Sequence, residues 1–254
     1  MKNLRYLVVA IFMLVAGDAL AWKAEVNKAV LMFAEENLSN KAKREVNALL
    51  GASLSSVEFV KKGRSVTRLN ENGKSVTTNE EDAVVQLEKA IAILQNKDAS
   101  VEERSAALRT AAEITVDIHC PANILIDKHL DKNFTFLRHN SMQKEFRFYV
   151  QKEMSWQNLW HNEFHRSHGA FSADMYLFDW HIATKGMAKN YKSESVAPRK
   201  WVEQMGDRVM HLIKVFSPDV LLEMVEVQRV EEVNNACMYD AAFRLANLLN
   251  KTLK

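Results

Sequence analysis

The stretch Glu113-Ile-Thr-Val-Asp117-Ile-His-Cys-Pro121-Ala-Asn123 decides how the chain is arranged. It continues a helical run that begins near Glu102, and Pro121 ends it. Glu113 and Asp117 are four residues apart, so a helix places both carboxylates on one face, a turn from each other. Two carboxylates so placed repel unless a cation or a basic side chain stands between them. A metal ion is one solution. The other is that one carboxylate faces solvent while the second meets an arginine, and the spacing leaves both open.

The helical reading extends in both directions. Only seven glycines and three prolines occur in 254 residues, which fits long helices with short connections and argues against a turn-rich sandwich or barrel. Val26, Ala29, Val30, Phe33 and Ala34 give residues 22–37 an apolar stripe at helical spacing. A second helix runs from a cap at Ser39 or Asn40 to Leu50, with Gly51 as its stop. Asn79-Glu-Glu-Asp82 opens a helix over Ala83–Gln95, and Ser100-Val-Glu-Glu103 is a capping-box pattern for the helix that carries Glu113 and Asp117. Helices resume near Trp156, and the last two span roughly 198–215 and 218–250.

Two regions depart from this pattern. Residues 61–79 are polar, with Lys61-Lys-Gly-Arg64 and Asn70-Glu-Asn-Gly-Lys74, and read as a loop or weak hairpin. Its basic cluster is either a solvated loop or a phosphate contact. Alternation at Phe134 and Phe136, then at Phe146, Phe148 and Val150, predicts a small β-hairpin over about 134–150. The fold class expected is all-α: a single multi-helix domain with one hairpin insertion.

The first residues belong to targeting. Met1-Lys-Asn-Leu-Arg5 is cationic, Tyr6 to Ala16 is apolar, and Ala19-Leu-Ala21 places small residues where a signal peptidase reads them. The apolar run is too short for a membrane span. The expectation is a signal peptide over 1–21, one large domain over 22–254, and a secreted or periplasmic protein without a membrane span. Cleavage after Ala21 makes Trp22 the new N-terminus, with an α-amino group of pKa about 8 that can act as a ligand. Loss of Lys2, Arg5 and Asp18 takes the formal charge from +2 to +1, which gives no general steering toward nucleic acid or membrane. Cys120 and Cys237 are disulfide candidates in an oxidising compartment, where a bridge closing so long a loop adds about 4–5 kcal/mol in the chain-entropy model. Two buried thiols are the alternative.

His161-Asn-Glu-Phe-His165-Arg-Ser-His168 concentrates three of the eight histidines. On a helix, His161 and His165 stack and can grip one transition-metal ion. The glutamate is misplaced for a His-Glu-x-x-His metalloprotease.

Taken together, these features resemble the S-one/P-one nuclease family, secreted zinc-dependent nucleases related to zinc-dependent phospholipase C. A tryptophan follows the signal peptide directly. Leu49-Leu-Gly51 ends the second helix, and Glu88-Lys-Ala-Ile-Ala-Ile-Leu94 with Glu103-Arg-Ser-Ala-Ala-Leu108 leads to the central helix. Asp117-Ile-His-Cys-Pro121 is similar to the family's Asp-Ile-His-Gln-Pro-Leu-His, and Ala242-Phe-Arg-Leu-Ala-Asn-Leu-Leu-Asn250 to its Ala-Gly-x-Arg-Leu-Ala-x-x-Leu-Asn ending.

The resemblance implies a helical domain holding three zinc ions, a metal-bound water as nucleophile, and single-stranded nucleic acid or nucleotide as substrate. It implies that Trp22 ligates through its amino nitrogen and carbonyl oxygen, and that Asp117 is a catalytic metal ligand. At the family's other ligand positions the residues change. Asn27 stands for a histidine, Lys61 and Lys62 lie near an expected aspartate, and one loop histidine has no counterpart. Glu113 and Asn123 replace two further histidines. In the last motif an ungapped match gives Trp160 and Phe164; one inserted residue gives His161 and His165.

Three functions follow. A degenerate nuclease keeps the fold and binds no metal, with Lys61 or Lys62 paired to Asp117 or Glu113 in place of a cation. A remodelled phosphodiesterase or phosphatase uses Asn27, Glu113, Asp117 and Asn123 for Mg²⁺, Mn²⁺ or Ca²⁺, with His161 and His165 keeping a zinc. A periplasmic binding module uses the same cleft, with Trp156, Trp160, Phe164 and Phe171 either stacking on ligand or forming core.

Overall fold

The computed structural model describes residues 22–59, 67–70, 72–74, 82–126, 133–139, 149–155, 160, 172–215 and 224–253. These residues are mostly helical. Helix α1 is Ala24–Glu36, α2 Asn40–Leu50, α3 Ala83–Gln95, α4 Val101–Asp117, α5 Ala173–Ala183, α6 Ala188–Lys192, α7 Pro198–Val215 and α8 Met224–Thr252. No helix among the described residues is long and apolar enough to cross a membrane.

Local chemistry sets the helix ends. Ser39 Oγ accepts from the Ala42 N–H at 3.2 Å, and Gly51 closes α2 with φ of 67°, a left-handed conformation that glycine adopts without steric cost. Asp82 Oδ1 accepts from the Val84 N–H at 2.8 Å at the start of α3. At α4, Ser100 and Glu103 bond each other's backbone N–H groups at 3.1 and 2.9 Å, a reciprocal cap worth about 1 kcal/mol.

The C-terminal half of α8 is the axis of the domain. Residues 241–249, Ala-Ala-Phe-Arg-Leu-Ala-Asn-Leu-Leu, are all buried. A helix enclosed on every side must be surrounded by other elements, and α8 packs against α1, α4, α6 and α7. Asn250 closes its end: the side chain accepts from the Ser39 N–H at 2.7 Å and donates to the Asn37 carbonyl at 3.1 Å, tying the α1–α2 turn to α8.

Strands are short. β1 (Thr67–Leu69) pairs in parallel with β2 (Ile124–Ile126), Thr67 against Ile124 and Leu69 against Ile126. The polar segment expected to be a loop or weak hairpin therefore contains a strand whose partner lies beyond α3 and α4. Three residues are too few to carry an alternating pattern of their own. β3 (Asn133–His139) runs antiparallel to β4 (Tyr149–Ser155); Phe146 and Phe148 lie outside the described residues.

The β1 region presses closely on α7. A Cβ on Gly206 would collide with Leu69 Cδ1 and stand 3.2 Å from the Gly73 carbonyl oxygen. The expected outcome for Gly206→Ala is a loss of about 1–3 kcal/mol from overpacking, read by denaturant titration. Combining it with Leu69→Ala should give a non-additive cost, because the two residues share one contact.

Candidate functional site

Two polar centres are buried in this core. The first lies where α1 begins. Trp22 and Asn27 are each 1% exposed. Asn27 Oδ1 accepts from the Trp22 backbone N–H at 3.3 Å, and Asn27 Nδ2 donates to the Trp22 carbonyl at 3.2 Å. The indole Nε1 of Trp22 donates to Asn234 Oδ1 on α8 at 2.9 Å. One carboxamide thus clips both backbone atoms of Trp22, and the indole anchors the clip to the central helix.

The remaining sequence-predicted residues are placed as follows. Glu113 and Asp117 are half-buried in the last turns of α4. Asn123 is buried and its Nδ2 donates to the Asp117 carbonyl at 3.2 Å, while its Oδ1 accepts no hydrogen bond among the described residues. Trp160 is fully buried, so it is core and offers no stacking surface. Lys61, Lys62, Trp156, His161, Phe164, His165 and Phe171 lie outside the described residues. Among the described residues, no three histidine, cysteine, aspartate or glutamate side chains are grouped to hold a metal ion.

The disulfide alternative is corrected. Cys120 and Cys237 are both buried thiols and are not bonded to each other. The Cys237 sulfur instead lies 3.7 Å from Arg208 Nη1, as an acceptor. Burial, opposed in part by the Arg208 charge, pushes its thiol up to about 11, so it stays protonated at neutral pH.

The second centre was not expected. Arg244 of α8 is 5% exposed, and its guanidinium reaches four side chains. Nε and Nη2 donate to Glu194 at 2.9–3.3 Å, and Nη2 also donates to Gln204 Oε1 on α7. Nη1 lies 3.1 Å from His119 Nε2, just past the end of α4, and 3.9 Å from Asp240 Oδ2. Asp240 in turn holds Arg208 of α7 at 2.6 Å and accepts from the Tyr191 hydroxyl of α6. The guanidinium carbon stands 5.6 Å from the centre of the Trp201 ring.

Hydrogen bonding assigns the histidine tautomer. Nδ1 of His119 is 2.6 Å from the Thr115 carbonyl, so it carries the proton, and Nε2 is left to accept from Arg244. Complete burial and the Arg244 charge hold the ring neutral, with its pKa down to about 3. Such an imidazole is no base at neutral pH; it is an acceptor for a buried cation. Burial alone would raise Asp240, but the Arg208 charge, the Tyr191 hydrogen bond and the Arg244 charge together hold its carboxyl below the ordinary value.

An open depression of about 500 Å³ lies over this network, lined by Asn190, Tyr191, Gln204, Asp207 and Arg208 among others. Every guanidinium nitrogen of Arg244 is already engaged within the chain. The arrangement therefore locks α4, α7 and α8 together, with Arg244 committed to partners within the chain. A sequence signal for it existed: a lone arginine inside the apolar run 241–249 must be paired if that run is buried.

No model of a known protein family matches the chain, and no curated protein matches it.

Two outcomes follow from the network. Arg244→Met leaves the half-buried Glu194 and the buried Nε2 of His119 without their guanidinium partner and should cost about 1–3 kcal/mol in chemical denaturation. His119 stays neutral in the folded chain but takes a proton near pH 6.5 when unfolded. As pH falls from about 6.5 toward 4, stability should therefore drop by up to about 1.4 kcal/mol per pH unit from this residue. Below about 4 the loss of the Asp240 contribution adds to it. The stability difference between the native protein and His119→Asn should shrink steadily from pH 7 to pH 4.

Proposed function

We propose that this chain is an exported, nuclease-like helical domain of the S-one/P-one pattern that has left trinuclear zinc chemistry and acts as a binding or structural domain. The observation that carries the reading is the Asn27 clip. In the family pattern the amino nitrogen and carbonyl oxygen of Trp22 are zinc ligands, and Asn27 stands at a third ligand. Here the Trp22 N–H is directed at Asn27 Oδ1, and the Trp22 carbonyl receives a hydrogen bond from Asn27 Nδ2. A carboxamide nitrogen has no lone pair to offer a cation, and thiolate, imidazole or carboxylate ligands suit zinc where this residue does not. Zinc therefore does not fit this corner. The carboxamide takes its place as a neutral bridge.

A second reading has one observation in its favour. The carbonyl oxygen of Asn123 is buried and accepts no hydrogen bond among the described residues, near the half-buried Asp117 whose backbone it holds. Oxygen donors from Glu113, Asp117 and Asn123 would suit Mg²⁺, Mn²⁺ or Ca²⁺, and a phosphodiesterase or phosphatase acting on nucleotide or single-stranded nucleic acid would follow.

The two are separated by the mature protein, exported so that Trp22 is its N-terminus. The first reading expects no zinc or manganese by elemental analysis after dialysis, and no cleavage of single-stranded DNA above that of Asp117→Ala. Two or three metal equivalents together with Asp117-dependent cleavage would overturn it. One equivalent of manganese or calcium that raises the melting temperature, and fails to do so in Asn123→Ala, would favour the second. Asn27→Ala should lower stability by about 1–3 kcal/mol whichever holds, since it strands two buried backbone groups.

A further inference from the structure

The first turn of α7 and the last turn of α8 meet α3 at an open cleft of about 550 Å³. Its walls are largely apolar: Ile91 of α3, Val196 and Ala197 before α7, and Pro198 at the first position of α7. Ile91 and Val196 are half-buried and pack against the core, so the fold itself sets these walls.

The charge at the cleft is unbalanced in one direction. Glu88 is matched by Arg199, whose Nε and Nη2 donate to its two carboxylate oxygens at 3.1 Å each. Two ammonium groups remain. Lys200 forms no ion pair with a described residue, and Lys251 donates to the Glu194 backbone carbonyl, a neutral partner that leaves its charge uncompensated. The helix terminus adds to them. The Trp201 N–H donates to the Ala197 carbonyl at 3.1 Å, which makes Ala197 the cap residue of α7. Alanine has no side-chain acceptor, the first turn holds no acidic residue, and the Lys200 N–H meets no described acceptor. Such an end favours an anion.

Thr252 is a second and independent sign of a ligand. It lines the cleft from α8, is only 7% exposed, and its hydroxyl has no hydrogen-bond partner among the described residues. A polar group so nearly enclosed is normally hydrogen-bonded, and the space open to this one is the cleft.

We propose that the cleft binds a free aliphatic carboxylic acid, its carboxylate at the α7 terminus between Lys200 and Thr252 and its tail along Ile91, Val196 and Pro198. A carboxylate accepts from an ammonium, a hydroxyl and a backbone N–H together, the three donor types present. A bare inorganic anion would leave the apolar walls in water, and neither unmatched cation has arginine's bidentate grip on phosphate. An uncharged apolar ligand would leave the Thr252 hydroxyl and the Lys200 N–H unanswered. The cleft is separate from the altered ligand positions, since none of Trp22, Asn27, Asp117 and Asn123 lines it.

The test is isothermal titration calorimetry of the mature protein with octanoate as probe, beside octanol and acetate, with the fold of each variant checked by circular dichroism. Octanoate should bind at one equivalent. Octanol, which keeps the tail, and acetate, which keeps the charge, should each bind roughly tenfold more weakly or worse. Lys200→Glu should weaken octanoate by roughly tenfold or more and Thr252→Val by less. Lys189→Glu, at a lysine of α6 that does not line the cleft, should leave it unchanged. No octanoate binding, or equal binding of octanol, overturns the proposal, as does an octanoate affinity that Lys200→Glu leaves unchanged. Inorganic phosphate bound as tightly as octanoate reduces the site to a bare anion seat and overturns the aliphatic ligand. Flotation with phosphatidylglycerol vesicles that Lys200→Glu abolishes, without binding of free octanoate, assigns the cleft to membranes and overturns it too. None of these readouts depends on metal content or nuclease activity.

Discussion

The guanidinium of Arg244 sits at the meeting point of α4, α7 and α8, and the arrangement of those helices depends on it. A charge in the middle of an enclosed helix is costly unless every donor has an acceptor. Here Glu194, Gln204, His119 and the more distant Asp240 supply them. Glu194, Gln204 and His119 lie 50, 40 and 125 positions from Arg244, so the arginine is satisfied only when those segments pack around α8. Apolar burial along α8 makes the core stable, and the buried charge restricts which core can form. The neutral state of His119 belongs to the same logic, since a second cation beside Arg244 would undo the arrangement.

The Trp22 corner follows a related rule with neutral groups. Backbone N–H and C=O groups buried at a helix start need partners. Lys23 provides no side-chain cap to α1, and Asn27 reaches back one turn to Trp22 instead. Asn234 fixes the indole from α8, so the beginning of the domain is attached to the same helix that carries Arg244. The polar groups of the core are thus distributed along one axis: Asn234, Asp240, Arg244 and Asn247 all project from α8 and are all buried.

Much of the helical framework could be read directly because its signals are local. Ser39, Gly51, Asp82 and the Ser100–Glu103 pair define helix ends through contacts within a few residues. The β1 strand escaped notice for the opposite reason: Thr67–Leu69 is ordered by Ile124–Ile126, more than fifty positions away. The candidate site divides in the same way. The spacing of Glu113 and Asp117 on one helix was evident. Which partners His119 would meet was not, because Arg244 lies 125 positions away.

The sequence alone determined where the capped helices start and stop and that their apolar residues recur at helical spacing. These rest on capping chemistry, apolar periodicity and residue identity, none of which needs a distant neighbour. The tertiary structure decided that Cys120 and Cys237 remain thiols, that Trp160 is core, and that the Asp-Ile-His and Phe-Arg-Leu-Ala segments join in one buried network. Those outcomes depend on where elements remote in sequence come to rest, and the constraint there is geometric: a bond or a contact exists only when the fold brings both partners within reach.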